Sequence, residues 1–126
     1  PYMNSVAGAA AVLDSLDLAP GMRVLDAGCG PGRLTIPAAE RVGPTGHVVA
    51  VDVQEAMLAR LQSAVAARGI RNVRPVRAAL DDLEAVLPDA GTYDRAFLVT
   101  VLGEVRDREA AMRGLHAALR PGALLA

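Results

Sequence analysis

Val24-Leu25-Asp26-Ala27-Gly28-Cys29-Gly30-Pro31-Gly32 decides the reading of this chain, because a short apolar run passes directly into three glycines at alternate positions. The apolar run follows a Pro20-Gly21 turn and has the composition of a strand buried on both faces. Gly28 lets the backbone turn sharply off that strand. Gly30 and Gly32 remove side chains, so that a ligand can lie against the main chain before the next helix begins. This is a nucleoside-cofactor loop; a purely structural tight turn is the other reading of the glycines taken alone.

Outward from the loop, periodicity alternates between short apolar runs and helical patterns, as in a parallel sheet with crossover helices. Strands are expected at 22–27, 47–53, 73–78, 93–99 and 122–126. A leading helix is expected at 4–16 and a shorter one at about 36–42. A third, at 55–68, places Met57, Leu58, Leu61 and Val65 on one face and stops at Gly69. A fourth, at 107–119, opens on Asp107 as N-cap, spaces Met112, Leu115 and Leu119 helically, and ends before Pro121-Gly122. The run 123–126 reads as the opening of a buried strand, so the chain is expected to be incomplete at its C-terminus.

Asp52 gives the loop its partner. It falls at the carboxyl end of the second strand, twenty positions beyond Gly32, where a carboxylate can accept hydrogen bonds from both hydroxyls of an adenosine ribose. The simpler alternative makes Asp52 the N-cap of the following helix. A dinucleotide fingerprint would need glycine at position 33, which is Arg33, and no phosphate-binding G-x-x-x-x-G-K-[ST] run occurs. The loop therefore suits a cofactor without a pyrophosphate.

Composition agrees with one packed domain. Hydrophobic residues make up 52% and charged residues 21% of 126 residues, too apolar for a disordered chain. Thirteen Lys and Arg face fourteen Asp and Glu with no basic run, so no nucleic-acid partner is expected. One cysteine forms no internal disulfide, and no leader or membrane span is read, which favours a cytoplasmic setting.

With these pieces assembled, the chain resembles the class I S-adenosylmethionine-dependent methyltransferases, and among them the small-molecule group that includes the ubiquinone and menaquinone methylases. The resemblance runs from Leu18 onward through VLDAGCGPG at 24–32, VVAVDV at 48–53, YDRAFLVTVLGEV at 93–105 and LRPGALL at 119–125. It implies an α/β fold, a doubly wound, Rossmann-like, mostly parallel sheet with strand order 3-2-1-4-5. The last two strands of the family have no counterpart here. The edge beside the fifth strand would then need cover, and a homodimer through that edge is one form of it.

The resemblance also implies residue roles toward S-adenosylmethionine. Gly28 and Gly30 would meet its methionine end through their backbone, with Asp26 orienting the loop or the amino group and Cys29 packed beneath. Asp52 would hold the ribose, while Val53 and Met57 would pack on adenine, Met57 having core filling as its other reading. Relatives usually carry an acidic residue after the third strand, where this chain has Ala79. Backbone groups of Ala79 and Leu80, or the Asp81 carboxylate, would take over that contact.

A sulfonium methyl is already activated, so the protein mainly aligns an acceptor and excludes water. No nucleophile constellation is required. Glu104 is the one candidate general base, with a solvated loop carboxylate as its other reading. His47 and His116 are expected to be structural or surface residues, and Gly103 stands where relatives often have histidine. The Asn/Asp-Pro-Pro-Tyr run and the Pro-Cys nucleophile are both absent, which favours a small-molecule acceptor. Tyr2 is expected either to fold over the cofactor as part of a lid or to be an ordinary terminal residue. Two other functions stay open: an oxidoreductase-type nucleotide domain, and a methyltransferase-like fold kept as a non-catalytic binding module.

Overall fold

A computed structural model describes residues 6–87, 89–98 and 106–125, with backbone alone at 6–9 and 123–125. In chain order the elements are α1 (Val6–Ser15), β1 (Arg23–Ala27), α2 (Thr35–Val42), β2 (His47–Asp52), α3 (Glu55–Ala67) and β3 (Val73–Arg77). A 3-10 turn (Leu80–Asp82), α4 (Leu83–Val86), β4 (Tyr93–Leu98), α5 (Arg108–Ala118) and β5 (Leu119–Leu125) complete them. All five strands pair in parallel in the order β3-β2-β1-β4-β5, as the resemblance implied.

Alternate residues of the central strands feed two cores. Val24, Val48 and Phe97 face α1 and α2, with Leu13, Leu16, Ala38 and Val42 packed on them. Ala50 continues that face under Leu58 and Leu61 of α3. Leu25, Val49, Val51 and Ala96 point the other way, against Leu83 of α4 and Ala111, Leu115 and Ala118 of α5. Helices thus cover both faces, which is why the strands read as continuous apolar runs rather than as alternation.

Helix ends follow their local chemistry. Beyond α3, Gly69 takes φ +67°, its amide donating to Ala66 and that of Ile70 to Val65, the paired bonds of a Schellman cap. At the start of α5 the Asp107 carboxylate accepts the Ala110 amide at 3.0 Å.

One alternative is set aside and two expectations are corrected. Asp52 does not cap α3: the N-cap is Gln54, two residues later, and Asp52 ends its strand. The buried stripe of α5 is Ala111, Gly114, Leu115 and Ala118, whereas Met112 is 40% exposed and Leu119 already belongs to β5. Gly114 is part of that stripe because a Cβ there would come within 2.7 Å of the Leu83 Cβ, so the helix closes onto α4 only through a glycine. Finally, β5 starts three residues before its expected position. Tyr93 pairs with Leu119 and Arg95 with Leu124, so Arg120 to Ala123 bulge out around Gly122 at φ +81°. Pro121 is tolerated within that bulge, and Pro75 in β3 because that strand lies at an edge of the described sheet. The segment 80–86, for which no element was expected, holds the 3-10 turn and α4.

Candidate functional site

The carboxyl ends of β1, β2 and β3 converge beside the point where the strand order reverses, the place at which open α/β sheets bind ligands. The glycine loop occupies it. The amides of Gly28 and Cys29 both donate to the Val51 carbonyl, at 2.7 and 2.9 Å, which extends the β1–β2 ladder into the loop. Gly28, Gly30 and Gly32 all have positive φ, at +79°, +54° and +103°, a region that disfavours any side chain.

Gly30 and Gly32 serve different ends. A Cβ on Gly32 would fall 2.5 Å from the Leu61 side chain, so Gly32 lets the loop pack against α3. A Cβ on Gly30 would meet nothing within 4 Å, so the backbone there faces open space. Cys29 turns inward, buried beside Ala50, Leu58 and Leu61, and burial first and then the charges of Asp26 and Asp52 push its thiol well above its ordinary range. Such a thiol is unreactive.

Asp52 connects three segments. One carboxylate oxygen accepts the Gly30 amide at 2.8 Å, the other accepts the Gln54 amide at 2.8 Å, and its carbonyl accepts the Ala78 amide at 3.1 Å. Each carboxylate oxygen retains lone-pair capacity for a further donor. Asp26 lies behind the loop, 1% exposed, and accepts the Thr35 hydroxyl at 2.6 Å. Burial, opposed by Thr35 and reinforced by the Asp52 charge, raises its carboxyl to about 6.

Around these, Val53 stands 57% exposed directly after Asp52, and Met57 is half-buried on the first turn of α3. Ala79 and Asp81 are half-buried beside the end of β3, but the Leu80 side chain turns into the core with Leu83, which leaves only its backbone to the site. The carbonyl of Ala79 already accepts the Asp82 amide at 3.0 Å. The structure therefore gathers Asp26, Gly28, Cys29, Gly30, Asp52, Val53, Ala79 and Asp81 on contiguous segments at one end of the sheet. His47 begins β2 at the opposite end, and His116 is exposed on α5. Glu104, Gly103 and Tyr2 lie outside the described residues.

Thr35 and Gln54 were not anticipated. A threonine at the first position of the helix after the loop was the available signal for the former; the latter contributes only a backbone amide, which no side-chain pattern reveals. Among the described residues no cluster of three His, Cys, Asp or Glu comes together as a metal site, and no helix is long and apolar enough to cross a membrane. An open cleft lined by Glu40, Pro44, Ile70 and Arg71 lies at the C-terminal ends of α2 and α3, away from the loop.

Residues 24–122 match a family model described as a methyltransferase domain. Over 83 residues the chain is 43% identical to nocamycin O-methyltransferase of Saccharothrix syringae, covering 66% of this chain and 29% of that protein. Over 111 residues it is 37% identical to the ubiquinone/menaquinone biosynthesis C-methyltransferase of Idiomarina loihiensis, covering 87% of this chain and 43% of that one. The crystal structure of an S-adenosylmethionine-dependent methyltransferase from Aquifex aeolicus superposes with a TM-score of 0.79 at 29% identity, over 93% of this chain and 62% of that chain. The chain thus spans less than half the length of these two curated relatives.

Proposed function

Since this chain belongs to the class I S-adenosylmethionine-dependent methyltransferases, we propose that residues 1–126 form a cofactor-binding core and that the protein moves a methyl group from S-adenosylmethionine to a small-molecule acceptor. The observation that carries this reading is the loop itself: open space over Gly30, with the Asp52 carboxylate fixed beside it. That cradle fits an adenosyl group, which brings ribose hydroxyls to a carboxylate and no pyrophosphate to a site flanked by two acidic side chains. Arg33 at the third fingerprint position argues against a dinucleotide.

In this reading Asp52 accepts the ribose hydroxyls, the backbone of Gly28 and Gly30 borders the methionine end, and Asp26 sits behind it. Val53 and Met57 flank the adenine, with backbone groups of Ala79 and Leu80 and the Asp81 carboxylate at its edge. The cofactor supplies a sulfonium-activated methyl group; the chain's own work is to bind, orient and shield. Glu104 remains the proposed base for acceptors that must lose a proton. The buried free thiol of Cys29 supports a reducing, cytoplasmic setting. Pairing of a second copy along the outer side of β5, the last strand of the described sheet, is the proposed route to a dimer, which sedimentation would test. A nucleic-acid acceptor is not proposed, given the balanced charge.

Titration calorimetry with S-adenosylhomocysteine, S-adenosylmethionine and NADH tests the cofactor. Binding of the adenosyl ligands without NADH is expected; binding of NADH alone would turn the reading to the oxidoreductase, and binding of none to a non-catalytic module. Labelled methyl transfer to a panel of phenols, quinones, amines and thiols would then identify the acceptor class.

A further inference from the structure

Thr35 and Asp26 make a polar pair inside an apolar interior. Thr35 is fully buried and Asp26 is 1% exposed, and the bond between them joins the end of β1 to the first residue of α2. One hydrogen bond thus pins both ends of the glycine loop. Burying a carboxylate is unfavourable unless a positive partner compensates it. Among the described residues the groups acting on its charge are Thr35 from α2 and Asp52 from the end of β2, and that charge acts in turn on Cys29 within the loop; none of the three is cationic. By contrast the buried Arg95 guanidinium, near the other end of the sheet, donates to the Leu16 carbonyl at 2.6 Å.

We infer that Thr35 is a positioning residue for the ligand of the glycine loop: its hydroxyl holds the Asp26 carboxylate behind the loop, and the pair offers a cationic ligand a buried counter-charge. The inference rests on the sulfonium-cofactor reading, because a cation is what such a carboxylate lacks. A ligand bearing sulfonium and ammonium charges favours ionised Asp26, so its binding releases a proton wherever Asp26 is partly protonated in the free protein. With a free carboxyl near 6, affinity rises as pH increases and levels off above neutrality. Removing the Thr35 hydroxyl withdraws the bond that favours the ionised form and moves this rise to higher pH.

Two readouts test it on the 126-residue chain and its Thr35→Val and Thr35→Ser variants. Carboxyl carbon-13 titration of the free protein should place Asp26 higher in Thr35→Val and near wild type in Thr35→Ser. Calorimetry with S-adenosylmethionine across that pH range should show wild-type affinity rising roughly tenfold from about pH 5 to 7. Thr35→Val should bind roughly tenfold more weakly near neutrality, as loss of a hydrogen bond to a charged group predicts, with Thr35→Ser restoring the wild-type curve. An unchanged Asp26 titration, or an unchanged binding curve, in a folded Thr35→Val variant overturns the inference while leaving the cofactor reading intact. A wild-type chain that binds no adenosyl ligand at any pH overturns both.

Discussion

One carboxylate oxygen of Asp52 accepts the backbone amide of Gly30 at 2.8 Å, so the residue that ends β2 fixes the middle of the loop that follows β1. The same side chain therefore shapes the loop and, in the proposed function, holds the ribose. Its removal acts on both.

Asp52→Ala should weaken S-adenosylhomocysteine binding by more than tenfold, since charge-assisted hydrogen bonds contribute about 1.5–3 kcal/mol each. It should also speed hydrogen exchange at Gly30 and Gln54, whose amides lose their acceptor. Calorimetry and amide exchange check the two effects separately. Affinity within about twofold of wild type would remove the ribose assignment.

Gly30→Ala and Gly32→Ala should separate ligand binding from packing. At Gly30 the added methyl meets open space, so stability should fall only by the left-handed backbone penalty of about 1–2 kcal/mol, while ligand binding is lost. At Gly32 the methyl collides with Leu61, which adds about 1–3 kcal/mol of overpacking to the same penalty. Denaturant melts paired with calorimetry distinguish them; equal destabilisation by both changes would contradict the geometry.

Asp26→Asn should stabilise the protein at neutral pH. The folded carboxyl titrates at about 6 against 3.8 unfolded, so the folded state binds the proton more tightly. The associated stability is fully present below about pH 4 and is lost as pH rises through about 6, a difference on the order of 3 kcal/mol. The neutral amide does not undergo that loss and can still accept from Thr35. Urea melts at about pH 4 and 8 should therefore show the variant's advantage only at the higher pH, accompanied by weaker binding of the cationic cofactor.

Gly114→Ala should destabilise despite alanine's better helix propensity, because the added methyl would lie 2.7 Å from Leu83 Cβ and 3.2 Å from the Glu84 amide nitrogen. A fall in thermal midpoint, without loss of helical signal, is expected. A rise would mean that α5 and α4 have slack between them.

The alternation of strands and helices is legible in the residues alone, because apolar runs, glycine punctuation and caps such as Asp107 and Gly69 act through near neighbours. So is the placement of Gly28, Gly30 and Asp52 at the strand ends, since a strand-to-helix turn and a carboxylate at the next strand's end are local features with a known separation. The strand order came from the family resemblance, not from periodicity. Relationships between elements emerge only on folding: Thr35 against Asp26, Gly114 against Leu83, the bulge that lengthens β5, and Asp52 bonded to the loop instead of capping α3. Each depends on how closely a helix or loop settles onto the sheet or onto another helix, which is set by side chains distant in sequence. The exposed Met112 shows the same limit, because helical spacing names the apolar positions of α5 but not the face the sheet accepts. There the small residues Ala111, Gly114 and Ala118 allow close approach, and that closeness is a property of two packed surfaces rather than of one segment.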